Sequence, residues 1–199
     1  MLKALQRGVT LIELMIGLAI LAILLFLAVP SFTIFLQNTQ IKNAGESVLQ
    51  GLNLARAEAL RRNSSVRFQF VNNLTAGCAL DNDTLNWVVS LADPTGKCNE
   101  APGTTATGIV QAYSATDGTS NVVLAADNTS VVFNGMGRVV GAGITDINLS
   151  NVAGVCEHID PAGTMRCLRV MVSSGGQIRL CDPKVDPLNL TDPRRCPAP

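Results

Sequence analysis

A chain of 199 residues with 15 basic and 15 acidic side chains carries no formal net charge, so it has no global attraction to nucleic acid and any basic site must be local. Its length suits one globular domain besides an anchoring segment. Aromatics make up only 4% of residues, which points to short strands and turns around a thin aliphatic core and away from a large enzyme cleft.

The chain opens on a short basic leader, residues 1–8, with Lys3 and Arg7, ending in Gly8. Residues 14–36 then run for 23 positions without a charge, a helix of roughly 35 Å and enough to cross a hydrocarbon core. A secretory signal places its cleavage site after a shorter apolar region. Here the small, flexible residue comes first, so a cut after Gly8 discards the leader and keeps the apolar helix, leaving 13 basic against 15 acidic side chains. Glu13 has two readings. Thr10-x-x-Glu13 fits a capping box, in which the carboxylate satisfies helix N-terminal amides. Alternatively, a lone carboxylate near the start of a membrane helix is disfavoured by up to about 2.5–3.5 kcal/mol at the bilayer centre, and such residues usually have a partner.

Beyond the apolar run the pattern becomes one-sided. Ile41, Ala44, Val48, Leu52, Ala55 and Ala59 recur at helical spacing, with Lys42, Glu46, Gln50, Asn53 and Arg56 between them, which predicts one helix over 10–62. Pro30 removes an amide donor and crowds the carbonyl of Phe26, so a kink or a locally meltable turn is expected there. Asn63-Ser64-Ser65 breaks the helix, and 66–70 alternates with Val66, Phe68 and Phe70 inward. Further strands are expected at 86–91, 108–113, 121–125, 130–133, 144–149, 168–172 and 177–180, separated by Gly, Asn and Asp-Pro clusters. The fold class is α+β: a long N-terminal helix whose one-sided half packs on an antiparallel β-sheet domain.

Cys78, Cys98, Cys156, Cys167, Cys181 and Cys196 all follow the apolar run. None forms a C-x-x-C pair and His158 is the single histidine, so neither a metal site nor any other cofactor is expected. An even count beyond a membrane segment reads as disulfides in an oxidising compartment. Of the fifteen pairings open to six cysteines, sequence neighbours are preferred, since they close short loops within plausible hairpins: Cys78 with Cys98, Cys156 with Cys167, Cys181 with Cys196. His158 lacks a nucleophile setting, and no catalytic set is expected. Asp81-Asn82-Asp83 begins like a calcium loop, but Leu85 takes the next ligand slot and the glycine is missing, which leaves a solvated turn. Gly175-Gly176 reads as a hairpin turn. Over 166–199, Arg166, Arg169, Arg179, Lys184, Arg194 and Arg195 outnumber Asp182, Asp186 and Asp192; this is either a solvated rim of ion pairs or a compact phosphate-binding patch.

Gly8-Val9-Thr10-Leu11-Ile12-Glu13-Leu14 resembles the processing site of type IV pilins and of type II secretion pseudopilins, with Val9 where phenylalanine is usual. Trp87-Val88-Val89, Phe133-Asn134-Gly135-Met136-Gly137-Arg138, Val172-Ser173-Ser174-Gly175-Gly176-Gln177-Ile178-Arg179-Leu180-Cys181-Asp182-Pro183 and Asp192-Pro193-Arg194-Arg195-Cys196 resemble the GspH/FimT family of minor pilins and pseudopilins. The resemblance implies a leader at 1–8 cleaved by prepilin peptidase between Gly8 and Val9, with N-methylation of Val9. It further implies an assembly half of the helix at 9–36, an amphipathic half at 37–62 and a periplasmic domain at 63–199. Glu13 is expected to meet the N-terminal amine of a subunit in the growing filament or of its own chain, and Pro30 to serve kinking or filament packing. The implied function is that of a minor type IV pilin acting in assembly or initiation at the tip; the alternative is a GspH-like pseudopilin of type II secretion. The implied partners are other major and minor pilins, the peptidase, the inner membrane and the assembly platform, with a path from single-pass inner-membrane protein to extracellular filament. FimT-type members are associated with DNA uptake, which makes Gln177, Arg179, Lys184, Arg194 and Arg195 a candidate site for sequence-nonspecific DNA contact; Gln177 stands where the DNA-binding members carry arginine.

Overall fold

The computed structural model describes residues 10–103, 107–116 and 118–197, apart from the side chains of 27–30. The leader, Gly8 and Val9 lie outside the described residues, as does the side chain of Pro30, on which the expected kink depends. One helix, α1 (Leu11–Arg62), is followed by eight strands: β1 (Val66–Phe70), β2 (Trp87–Ser90), β3 (Ile109–Tyr113), β4 (Val122–Ala126), β5 (Ser130–Phe133), β6 (Asp146–Asn151), β7 (Leu168–Val172) and β8 (Ile178–Cys181). The chain divides into two compact units, one ending at Leu36 and the other Gln37–Pro199.

In the second unit the one-sided pattern of the helix becomes a buried face. Ile41, Ala44, Val48, Leu52, Ala55 and Ala59 are all fully buried. The strands divide between two antiparallel four-stranded sheets, ordered β3-β2-β1-β5 and β4-β6-β7-β8. Two small residues on the helix let both sheets approach closely. A Cβ at Gly51 would lie 2.8 Å from the ring of Phe68, in the first sheet, and one at Gly45 would lie 3.0 Å from Leu180, in the second. Val66, Phe68 and Phe70 face inward as their alternation requires. Phe68 meets Phe70 edge-on at 5.0 Å, Trp87 stacks on Tyr113 at 5.5 Å, and the Trp87 indole N–H donates to Ser47 Oγ at 3.1 Å. A smaller apolar cluster of Val71, Val88 and Ile109 surrounds Cys78 and Cys98.

The helix ends through Asn63, which adopts φ +48°. Ser64 N–H donates to Ala59 O at 3.2 Å and Asn63 N–H to Leu60 O at 3.3 Å, the two bonds of a Schellman motif with Asn in the left-handed position. On this cap sits the 134–138 turn, where a Cβ at Gly135 would lie 2.5 Å from Asn63 Oδ1. Gly137 (φ +72°) turns its carbonyl to Arg56 Nε at 3.2 Å. The β7–β8 hairpin meets the same carbonyl: Gly176 (φ +81°) lies so close that a Cβ there would overlap the Gly137 oxygen. Val139 N–H to Ser174 O (3.2 Å) and Ile144 N–H to Ser130 O (2.9 Å) join these loops and the sheets. Helix, first sheet and second sheet thus converge at one crowded point.

All six cysteines are paired as sequence neighbours: Cys78–Cys98, Cys156–Cys167 and Cys181–Cys196. Asp81-Asn82-Asp83 is a turn closed by Asp83 N–H to Asp81 Oδ1 at 2.9 Å, with Leu85 buried.

Candidate functional site

The first site is the start of α1. Thr10 caps it, its Oγ1 accepting the Glu13 N–H at 3.3 Å and its carbonyl the Leu14 N–H at 3.2 Å. The reciprocal half of a capping box, carboxylate to Thr10 N–H, is absent among the described residues. Glu13 is exposed, and its carboxylate has no partner among the described residues. The large apolar side chains of Leu11–Phe26 are each at least half exposed, and Phe32, Phe35 and Leu36 remain exposed after them. Monomeric soluble proteins rarely expose contiguous apolar patches beyond a few hundred Å², so this surface requires lipid or other apolar helices. No single unbroken helix among the described residues is long and apolar enough to cross a membrane, but Leu11–Phe26 together with Ser31–Arg62 has the length and composition of a broken span.

The second site is the C-terminal rim. The Cys181–Cys196 disulfide holds the tail to the end of β8, and Asp182 N–H donates to Arg194 O at 2.7 Å. Most of the basic groups there are spoken for. Arg194 grips Asp192 through two bonds of 3.1 and 2.8 Å, which hold the Asp192 carboxyl down at about 2. Lys184 pairs with Glu157, on the loop closed by Cys156–Cys167. Arg166 pairs with Asp182 at 2.7 Å, while Arg169 bonds Asn148 at 2.8 Å and approaches Asp146 at 3.8 Å. The Arg195 guanidinium donates to the Pro187 carbonyl, at 3.4 Å. Arg179 faces Met171 across the β7–β8 pairing, and its guanidinium has neither an ion pair nor a hydrogen bond among the described residues. It lines an open groove of about 430 Å³ with Asp146, Ser173, Gln177 and Pro197. One Asp146 oxygen is buried there without a hydrogen bond. Gln177 is exposed at the groove's edge. Disulfide bonding leaves no thiolate on Cys156 or Cys167 beside the exposed His158.

Sequence spacing alone did not reveal the Arg56–Gly137–Gly176 contact, whose one signal is a pair of glycine turns, nor the Lys184–Glu157 pairing across 27 residues.

An apolar helix behind a Thr10 cap, followed by a disulfide-closed domain of two antiparallel sheets, is the make-up of a pilin-like structural subunit. A family model described as "Type II transport protein GspH" matches residues 44–176, and one described as "Prokaryotic N-terminal methylation motif" matches residues 3–29. The chain belongs to the GspH family. Among curated relatives it is similar to the type IV major fimbrial protein FimA of Dichelobacter nodosus, 42% identical over 60 residues, or 30% of this chain and 37% of the relative. FimA of Dichelobacter nodosus strain VCS1703A is also 42% identical, with 36% of its length covered. The chain thus spans about a third of the length of the curated relatives it matches. Two crystal structures of the Pseudomonas aeruginosa type IV minor pilin FimU are similar at 18% identity. One has a TM-score of 0.40 over 70% of this chain and 90% of that one; the other has 0.43 over 73% and 91%.

Proposed function

We propose that the chain is a minor type IV pilin, held in the inner membrane by residues 9–36 and then drawn into a filament. In this reading prepilin peptidase cuts between Gly8 and Val9 and Val9 is N-methylated. Glu13 pairs with the N-terminal amine of a subunit, Pro30 loosens the helix for packing, and the assembled protein acts in initiation near the tip beside other major and minor pilins. The observation that carries the reading is the Glu13 carboxylate, without a partner among the described residues, at the head of a helix with a bare apolar surface: the carboxylate calls for a cation and the surface for lipid or other apolar helices. Glu13→Gln should leave the β domain folded and the protein in the membrane while lowering its recovery in sheared filaments. Equal recovery of mutant and wild type reduces Glu13 to a helix-start residue.

The family's description as a type II transport protein favours a second reading, a minor pseudopilin of a secretion system. Deleting the chain separates the two: loss of surface filaments supports the first, and loss of exported protein with filaments intact supports the second. DNA contact is a finer proposal within the pilin reading and rests on Arg179, whose guanidinium has no partner among the described residues; Lys184 and Arg194 must first leave Glu157 and Asp192 to join it.

A further inference from the structure

The loop between β6 and β7 is fastened at both ends to the first turns of the helix in the second unit. Asn151 Nδ2 donates to Gln40 Oε1 at 3.2 Å, Arg166 N–H donates to Asn38 Oδ1 at 2.8 Å, and Asn38 Nδ2 donates to Thr164 O at 3.4 Å. β6 runs down the helix toward that end. Leu149 lies where a Cβ on Gly45 would be 3.4 Å away, and two residues later Asn151 has reached Gln40. The loop is therefore delivered beside Asn38, two positions after Leu36, the last residue of the apolar run, or roughly 3 Å of helical rise.

There it exposes apolar side chains with nothing to pack against: Val152 is 72%, Val155 50% and Ile159 70% exposed. A single exposed aliphatic needs no explanation, but these three share the one connection between β6 and β7, which Cys156–Cys167 closes from Cys156 onward. Its charges are largely compensated. Glu157 is paired with Lys184, Arg166 with Asp182, and Asp160 caps its own turn by accepting the Ala162 N–H at 2.9 Å; His158 is exposed.

We propose that this loop is a second membrane contact. With the apolar run in the bilayer, Val152, Val155 and Ile159 enter the boundary between headgroups and acyl chains, as apolar side chains on peripheral segments do. The proposal rests on the membrane anchoring given above. A lipid surface is the occupant because the loop is tied to the residues where the chain leaves its apolar run. The attraction is apolar, because the loop's charges are mostly paired and leave no basic surplus for anionic headgroups. Leaving the membrane for a filament then means breaking this contact as well as withdrawing the helix.

The test uses the full chain in lipid nanodiscs of phosphatidylethanolamine and phosphatidylglycerol, with and without brominated acyl chains, and two variants, Ile159→Trp and Met136→Trp. Met136 is a matched control: it is 71% exposed and sits in the turn on Asn63, roughly 37 Å of helix from Asn38. The native Trp87 is buried and adds a constant background. Brominated lipid should remove more than about half of the emission added at position 159 and little of that added at 136, since interfacial apolar groups sit about 5–10 Å into the headgroup–acyl boundary. Equal, weak quenching of both variants in chains that have entered the discs overturns the loop contact and leaves the anchor standing. A chain that fails to enter the discs overturns both. A blue shift of the new indole at 159 in sheared filaments but not in discs assigns the loop to a neighbouring subunit and also overturns the proposal.

Discussion

Replacing Gly176 with alanine probes whether helix and sheets are locked at one point. Gly176 lies at φ +81°, where a residue with a Cβ loses about 1–2 kcal/mol. The added carbon would run into the Gly137 carbonyl oxygen, which Arg56 Nε already holds at 3.2 Å; displacing well-packed groups costs about 1–3 kcal/mol. Alanine also restricts the unfolded chain, which returns about 0.4–1 kcal/mol. The net expectation is a loss of about 2–4 kcal/mol. Gly175→Ala is the control, because a Cβ there meets nothing nearer than Ser173 Oγ at 3.8 Å and only the unfolded-chain effect remains. Melting of the unit Gln37–Pro199 can be followed by circular dichroism. At about 2–4 °C per kcal/mol for a domain of this size, Gly176→Ala should melt roughly 5–15 °C lower and Gly175→Ala at or slightly above wild type. Matching melting temperatures for the two variants would refute the lock.

Three further outcomes follow from the geometry. Arg61 and then Arg62 bond Glu58 and lower its pKa from an ordinary 4.5 to about 2, so their stabilisation is complete above about pH 4.5 and is lost as pH falls toward 2; Glu58→Gln should flatten that acid limb, by less than about 1 kcal/mol for two helix-surface pairs, in melts taken across this range. Cys181→Ser opens a loop of sequence separation 15, worth about 3 kcal/mol in the chain-entropy model, and limited trypsin digestion should then cut at Arg194 and Arg195 while leaving the strands intact; unchanged resistance would show that hydrogen bonding alone holds the tail. Duplex DNA at low salt should bind weakly if at all, with Arg179→Ala abolishing what binding there is and Arg194→Ala, already committed to Asp192, changing it little; a salt slope near −0.9 for each phosphate contact distinguishes this from base readout.

Much of the fold was legible because local periodicity and burial agree. The six helix positions from Ile41 to Ala59 and the alternation of Val66, Phe68 and Phe70 each mark a face that only the core can satisfy. Strand ends were read less well where one residue serves two neighbours. Ile144, expected to open β6, instead gives its N–H to Ser130 in the other sheet, and β6 runs from Asp146 to Asn151. Gly108, expected to open β3, adopts φ +61° and stays outside it. Alternation alone does not say which strands share a sheet, so the division into two sheets was not legible. At the candidate sites Thr10 and Glu13 could be read from their spacing. The charge state of the rim could not, because Glu157 and Asp146 reach it from distant stretches of chain.

Every disulfide closes a loop of the chain upon itself, within sequence separations of 20, 11 and 15, and none ties α1 to the sheets. A pull transmitted along the helix therefore meets no covalent stop before it reaches the β domain. It is resisted by the fully buried helix face and by a few polar links such as Trp87 to Ser47 and Arg56 to Gly137. Under sufficient load the helix should peel away first, while each stapled loop stays closed.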